Sequence, residues 1–308
     1  MNPAMSVVVF TTLCGAAQGL VVTLAVLVLG DVLPFDDRCV SFGLALAEAM
    51  LVVSLAVSFM HLGRPERAWR AVMMWRTSWL SREVIVLPLF IAVVALWWLT
   101  VRAQYWFGLV PLAAVLASLL LWYCTAMVYI CIRFLQEWSH PLTLVNYTLI
   151  GLSSGLILTG ALAATTGPDG LSATLAPWAL FVTLIAWCTR ALSLRRNRTL
   201  RPKSTLQSAI GVRARQIQQK SMGMSAGSFN TREFFHRASR AGLKNIKWGF
   251  LALGFAIPSL LLVVILLTHM ASLWFAAFLL QYVGLLGERW FFFAQARHPQ
   301  NLYYQVVS

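Results

Sequence analysis

"EVIVLPLFIAVVALWWLTV", residues 83–101, decides what kind of molecule this is. After Glu83 it runs for 18 residues without an ionisable side chain, long enough to cross the hydrocarbon core of a bilayer as a helix. Comparable runs fall near 5–30, 40–61, 107–132, 142–165, 172–193, 248–268 and 271–295. Together they predict an all-α, polytopic integral membrane protein of eight transmembrane helices, one membrane domain over residues 1–308. Composition agrees: 59% of the 308 residues are hydrophobic and 11% charged, where a soluble domain carries roughly a quarter charged residues. The first run lacks a basic n-region and is too long for an h-region, so it is expected to stay as a span.

The formal net charge of +14 invites a nucleic-acid reading, which its distribution removes. With the connections counted alternately, 22 of the 24 Lys and Arg fall on one side, and only Arg38 and Arg102 on the other. The positive-inside rule then predicts both termini in the cytoplasm, together with the connection 61–82 and a basic loop insert, 194–247, between helices 6 and 7. The basic balance reads as topology first, with acidic partners or lipid headgroups second. The five cysteines show no C-x-x-C spacing, so no iron–sulfur cluster is expected in this chain. All five histidines map to loops or span ends, which disfavours a haem held between helices. No metal ligand set is expected.

Within the spans, Gly15/Gly19 and Gly151/Gly155 form small-x-x-x-small faces suited to close helix packing. Pro88, Pro111 and Pro258 are expected to kink their helices. Gln18, Asn146 and Gln281 read as interhelical hydrogen bonds. Glu288 and Arg289 are expected to pair with each other or with a neighbouring helix. Glu48, deep in the second span, reads equally as a proton-handling carboxylate or as a hydrogen-bonded packing residue.

Just before Glu83 stands "HLGRPERAWRAVMMWRTSWLSR", residues 61–82. A plain connector has no need of so much chemistry. His61 closes the second span and Glu83 opens the third, both at the cytoplasmic edge. An imidazole with a near-neutral pKa and a carboxylate at the lipid boundary can hold a quinone carbonyl and move its protons. Arg64 and Arg82 can donate to quinone oxygens or pair with carboxylates, and Trp79 can pack on a flat ring. The plainer reading takes the arginines as topology signals and the tryptophans as an interfacial belt. It suits the arginines, Trp69 and Trp75 individually, whereas the pairing of His61 with Glu83 points to function.

"HLGRPERAW" followed by "TSWLSREV", with the opening "SVVVFTTLCGAAQGL" and the ending "ERWFFFAQARHPQNLYY", resembles the membrane-anchor subunits of dimethyl sulfoxide reductase-type molybdoenzymes along essentially the whole chain. The resemblance implies eight helices, no haem, and two partners: an iron–sulfur electron-transfer subunit and a molybdopterin catalytic subunit. It also implies a quinone site at His61 and Glu83, with Arg64 and Arg82 in the same motifs. The basic insert, which includes "SFNTREFFH", and the charge bias are similar to the branch anchoring a cytoplasm-facing, quinone-reducing sulfite dehydrogenase. That implies an anchor in the inner membrane of a bacterium, passing electrons from sulfite oxidation to ubiquinone or menaquinone. An anchor of a dimethyl sulfoxide or polysulfide/tetrathionate-type reductase, oxidising quinol, is the first alternative, and a secondary transporter the second. No catalytic residue for the molybdenum chemistry is expected in this chain. Residues 230–247 are a candidate interfacial helix.

Overall fold

The computed structural model describes residues 2–60, 62–218 and 238–299, and over those residues it is all-helical. Among them stand α1 (Met5–Leu29), α2 (Arg38–Phe59), α3 (Trp79–Arg102), α4 (Leu109–Ile130), α5 (Leu142–Thr166), α6 (Leu171–Thr199), α7 (Arg240–Thr268) and α8 (Leu273–Ala294). The helices α1 to α7, seven in all, are each long and apolar enough to cross a membrane, which makes this a polytopic membrane protein. The 22-residue α8 packs on α7, α5 and α1, with Glu288 and Arg289 turned inward and buried.

Local chemistry sets the helix ends. Asp37 accepts a hydrogen bond from the Cys39 N–H at 2.7 Å and so starts α2 ahead of its apolar run. Ser78 Oγ accepts from the Ser81 N–H at 3.3 Å and starts α3 four residues before Glu83. Glu83 therefore lies inside a helix rather than at its mouth. Helix α6 runs on to Thr199, and Ser239 caps α7 by accepting from the Gly242 N–H at 3.0 Å. Helices thus enter the 194–247 stretch from both sides. Of the candidate interfacial helix 230–247, residues 240–247 form the opening turns of α7, and 230–237 fall outside the described residues. A π-helical turn, Ala252–Ala256, stands just before Pro258 in α7, a place where helices bend. Pro111 sits in the first turn of α4, where its missing N–H costs nothing, so the expected kink has no cause there.

Packing centres on α1, which touches α2, α4, α5 and α8. A Cβ added at Gly19 would overlap the Gly151 carbonyl, and one at Gly155 would overlap the Gly19 backbone. The two small-residue faces expected separately are the two halves of one α1–α5 crossing, in which glycines let backbones touch where hydrophobicity cannot drive association. Gly254 and Gly284 do the same where α7 meets α8.

The connections 30–37, 103–108, 167–170 and 269–272 share one end of the bundle. The opposite, loop-rich end holds the start of α1, the α2–α3 and α4–α5 connections, the end of α6, the start of α7 and the end of α8. In the α2–α3 connection a 3-10 helix, Pro65–Met74, has no buried residue and exposes Trp69, Met73 and Met74.

Candidate functional site

At the loop-rich end Glu83 stands five residues into α3, about 6 Å along its axis. It is 7% exposed, and Thr125 of α4 donates its hydroxyl to Oε1 at 2.6 Å. Among the described residues no lysine or arginine pairs with it. A carboxyl group held by a hydroxyl, without a cation, can gain or lose a proton without breaking an ion pair. Its buried neighbours are polar but uncharged. Cys14 Sγ donates to Gln18 Oε1 at 3.8 Å, and Gln18 Nε2 donates to the Ser118 carbonyl at 3.1 Å.

An aromatic rim borders this acid on the same helices. Trp79 meets Tyr123 edge-on at 5.3 Å, and the Arg82 guanidinium lies 4.0 Å over the Trp79 ring. Arg82 also donates from Nε to the Trp75 carbonyl and from Nη2 to the Arg76 carbonyl, each at 2.9 Å. It ties the end of the 3-10 helix to α3, a structural duty that leaves its planar face on Trp79. The structure therefore brings Glu83, Trp79 and Arg82 to one place. Arg64 is exposed at the start of the 3-10 helix. His61 lies outside the described residues; its neighbours Met60 and Leu62 are exposed at the end of α2. Glu48 belongs elsewhere, about 15 Å from either end of α2, with Oε2 buried and unpartnered among the described residues.

A second polar group went unread as a unit in the sequence. Arg190 of α6, 2% exposed, meets Glu288 Oε1 through Nε at 2.7 Å, and Arg289 Nη1 lies 3.5 Å from Oε2. Arg289 also covers the Tyr147 ring at 3.7 Å, and Tyr147 stacks on Tyr129 at 5.9 Å and 22°. The expected pairing of Glu288 holds, with Arg190 as its nearer partner. The signal was an arginine inside the apolar run "AWCTRALSL", residues 186–194, which a charge count assigns to the loop. Asn146 is an interhelical bond as expected, donating to Ser193 Oγ at 2.7 Å, and Gln281 donates to Ser153 Oγ at 2.8 Å.

A family model described as "DMSO reductase anchor subunit (DmsC)" matches residues 1–295. The chain belongs to that anchor-subunit family. The match takes in α1 through α8, with Glu83, its Thr125 partner and the Arg190–Glu288 pair. Along its full length this DmsC-family chain is also similar to a sulfite dehydrogenase subunit from Allochromatium vinosum (strain ATCC 17899 / DSM 180 / NBRC 103801 / NCIMB 10441 / D), 46% identical over 326 residues covering 100% of both chains.

Proposed function

We propose that this membrane anchor holds the quinone site of a three-subunit molybdopterin and iron–sulfur oxidoreductase, and that it passes electrons from sulfite oxidation to the quinone pool. The observation that carries the reading is Glu83: a carboxyl group buried one turn inside the loop-rich end, held by Thr125 and bordered by Trp79, Tyr123 and Arg82. The full-length similarity to the sulfite dehydrogenase subunit favours sulfite as the partner's substrate. Under this reading all eight long helices cross the inner membrane of a bacterium. Both termini are cytoplasmic, and an iron–sulfur subunit and a molybdopterin subunit dock on the cytoplasmic, loop-rich face.

The donor set fits a quinone. With Oε1 held by Thr125, Glu83 Oε2 offers a proton to one quinone oxygen, while His61, two positions after Phe59 in the sequence, serves the other. Trp79 packs on the ring, and Arg82 keeps Trp79 and the 3-10 helix in place. Arg64 supplies positive potential at the mouth. The partner's oxidation of sulfite with water yields sulfate, two electrons and two protons; here the quinone takes two electrons from the partner's clusters and two protons through these side chains. Glu48, apart from this site, handles a separate proton.

The test is quinone-linked turnover of the purified complex, with sulfite and with dimethyl sulfoxide as the partner's substrate. Glu83→Gln and His61→Ala should abolish sulfite-driven reduction of a quinone analogue and leave dye-linked sulfite oxidation intact. Quinone turnover surviving in both variants would remove the site. Activity with dimethyl sulfoxide alone would reverse the direction of electron flow.

A further inference from the structure

The cluster around Glu288 holds more than a structural ion pair needs. Two guanidiniums, Arg190 and Arg289, share one carboxylate at 1–4% exposure. Among the described residues five polar atoms there, on four side chains, are buried without a hydrogen-bond partner: Asn146 Oδ1, Tyr147 Oη, Arg190 Nε and Nη2, and Glu288 Oε2. All four residues line one cavity of about 10 Å³, together with His140, Ser193 and Arg196. A space of that size holds about one water, and orphaned polar atoms around it are what a buried water satisfies. A second cavity of about 10 Å³ lies beyond Arg289, beside the equally unpartnered Ser154 hydroxyl.

The cavity has an entrance and an exit. At its mouth His140 Nδ1 accepts from the Leu142 N–H at 3.1 Å, so the neutral ring carries its proton on Nε2. Burial first, and then the Arg196 guanidinium, hold this imidazole below its ordinary range, so it is neutral at neutral pH. At the inner side Tyr147 stacks on Tyr129, ring centroids 5.9 Å apart. Tyr129 is one turn from Thr125 on α4, on the same helix face, and Thr125 is bonded to Glu83.

We propose that these groups form a hydrated proton-delivery route from the loop-rich face at His140, past Glu288 and through Tyr147 and Tyr129, to Glu83. The inference rests on the quinone reading above and adds the path by which Glu83 is reloaded. When Glu83 has given its proton to a quinone oxygen, Tyr129 passes one to it by way of the Thr125 hydroxyl. Tyr147 replaces the proton on Tyr129, and the water at Glu288 replaces the one on Tyr147. Solvent at His140 restores that water. Each quinone reduced draws its two electrons from the partner's clusters, and every route group ends as it began. Arg190 and Arg289 keep their protons and offset the Glu288 charge. Their positive field repels a free hydronium, so the proton passes between hydroxyls and carboxylate rather than as an ion.

The test uses the complex as purified, in nanodiscs of native lipid, with a short-chain quinone as acceptor and sulfite as donor. Tyr147→Phe keeps the ring under Arg289 and removes only the hydroxyl; Glu288→Gln is the companion. Tyr147→Phe should bind the quinone analogue as the natural protein does, by tryptophan quenching. Its quinone-linked rate should fall about tenfold at alkaline pH, the low end of proton-transfer effects, and recover toward acid pH. Formate or azide, as small proton carriers, should restore the alkaline rate. Natural rates and pH profiles in both variants would overturn the route, as would a loss that neither weak acid repairs, which marks a structural role. If Glu288→Gln fails to assemble, Tyr147→Phe decides. A natural complex that reduces no quinone, or a fully active Glu83→Gln, would instead overturn the quinone reading underneath.

Discussion

Thr125→Val is the sharpest probe of the proposed site. It replaces the hydroxyl that donates to Glu83 Oε1 at 2.6 Å with a methyl of nearly the same shape, on a side chain only 8% exposed. No other protein group is moved. A hydrogen bond to a carboxylate contributes about 1.5–3 kcal/mol, so losing it should reduce quinone-linked turnover roughly tenfold to a hundredfold. Thr125→Ser keeps the donor and should recover most of the loss. The assay measures sulfite-driven reduction of a quinone analogue beside dye-linked sulfite oxidation, which bypasses the anchor and should not change. In a double-mutant cycle, Thr125→Val added to Glu83→Gln should cost little more than Glu83→Gln alone, because the two act through one bond. Natural turnover in Thr125→Val, or full additivity with Glu83→Gln, would show that the bond does not position the carboxyl for chemistry.

Gly19→Ala puts a methyl into the Gly151 carbonyl and should lower stability by about 1–3 kcal/mol, read as a lower unfolding temperature in detergent, while Gly15→Ala, with nothing within 4 Å, should leave it unchanged. Glu288→Leu strands two buried guanidiniums and should cost about 3–5 kcal/mol or prevent assembly, whereas adding Arg190→Met and Arg289→Met should restore much of the loss. His140 binds its proton less readily folded than unfolded, so its contribution is full above the unfolded value, roughly 6.5, and is lost as pH falls from there through the lower folded value. His140→Gln should therefore flatten the acid limb of the thermal-stability profile; an unchanged limb would place the acid sensitivity elsewhere.

Glu83 was legible because an acid at the head of an apolar run has no cheap explanation. Its partner was not: nothing in "LLLWYCTAMVYI", residues 119–130, says which neighbour Thr125 faces. The glycine faces were legible as faces but not as partners, since a one-dimensional pattern shows that a backbone can be approached and not by whom. Arg190 was hidden by the charge count from which topology was read, because counting arginines near span ends as loop charges discards the rare one that a buried carboxylate holds inside. Pro111 misled for a related reason. A proline bends a helix or starts it according to where the first turn falls, and that boundary is set by capping geometry rather than by hydropathy.

The buried charges are one-sided. Glu83, Arg190, Glu288 and Arg289 all lie within about 13 Å of the loop-rich end, measured along their helices. Deeper buried polar groups carry no charge: Thr23 and Thr159 turn back onto carbonyls of their own helices, and Ser153 bonds across helices to Thr183 and Gln281. One half of the bundle can thus accommodate charge and exchange protons, as the proposed quinone chemistry requires. Glu48 is the exception, midway along α2 with an unpartnered oxygen, and it gives the division a direct test. If Glu48 only packs, Glu48→Leu removes an unsatisfied polar atom and should raise stability by about 1 kcal/mol with turnover untouched. If it handles a proton, the same gain in stability should come with a fall in quinone-linked turnover, the signature of a group kept at a cost to stability. The second outcome is expected from its mid-membrane depth; a more stable and fully active Glu48→Leu complex would refute it.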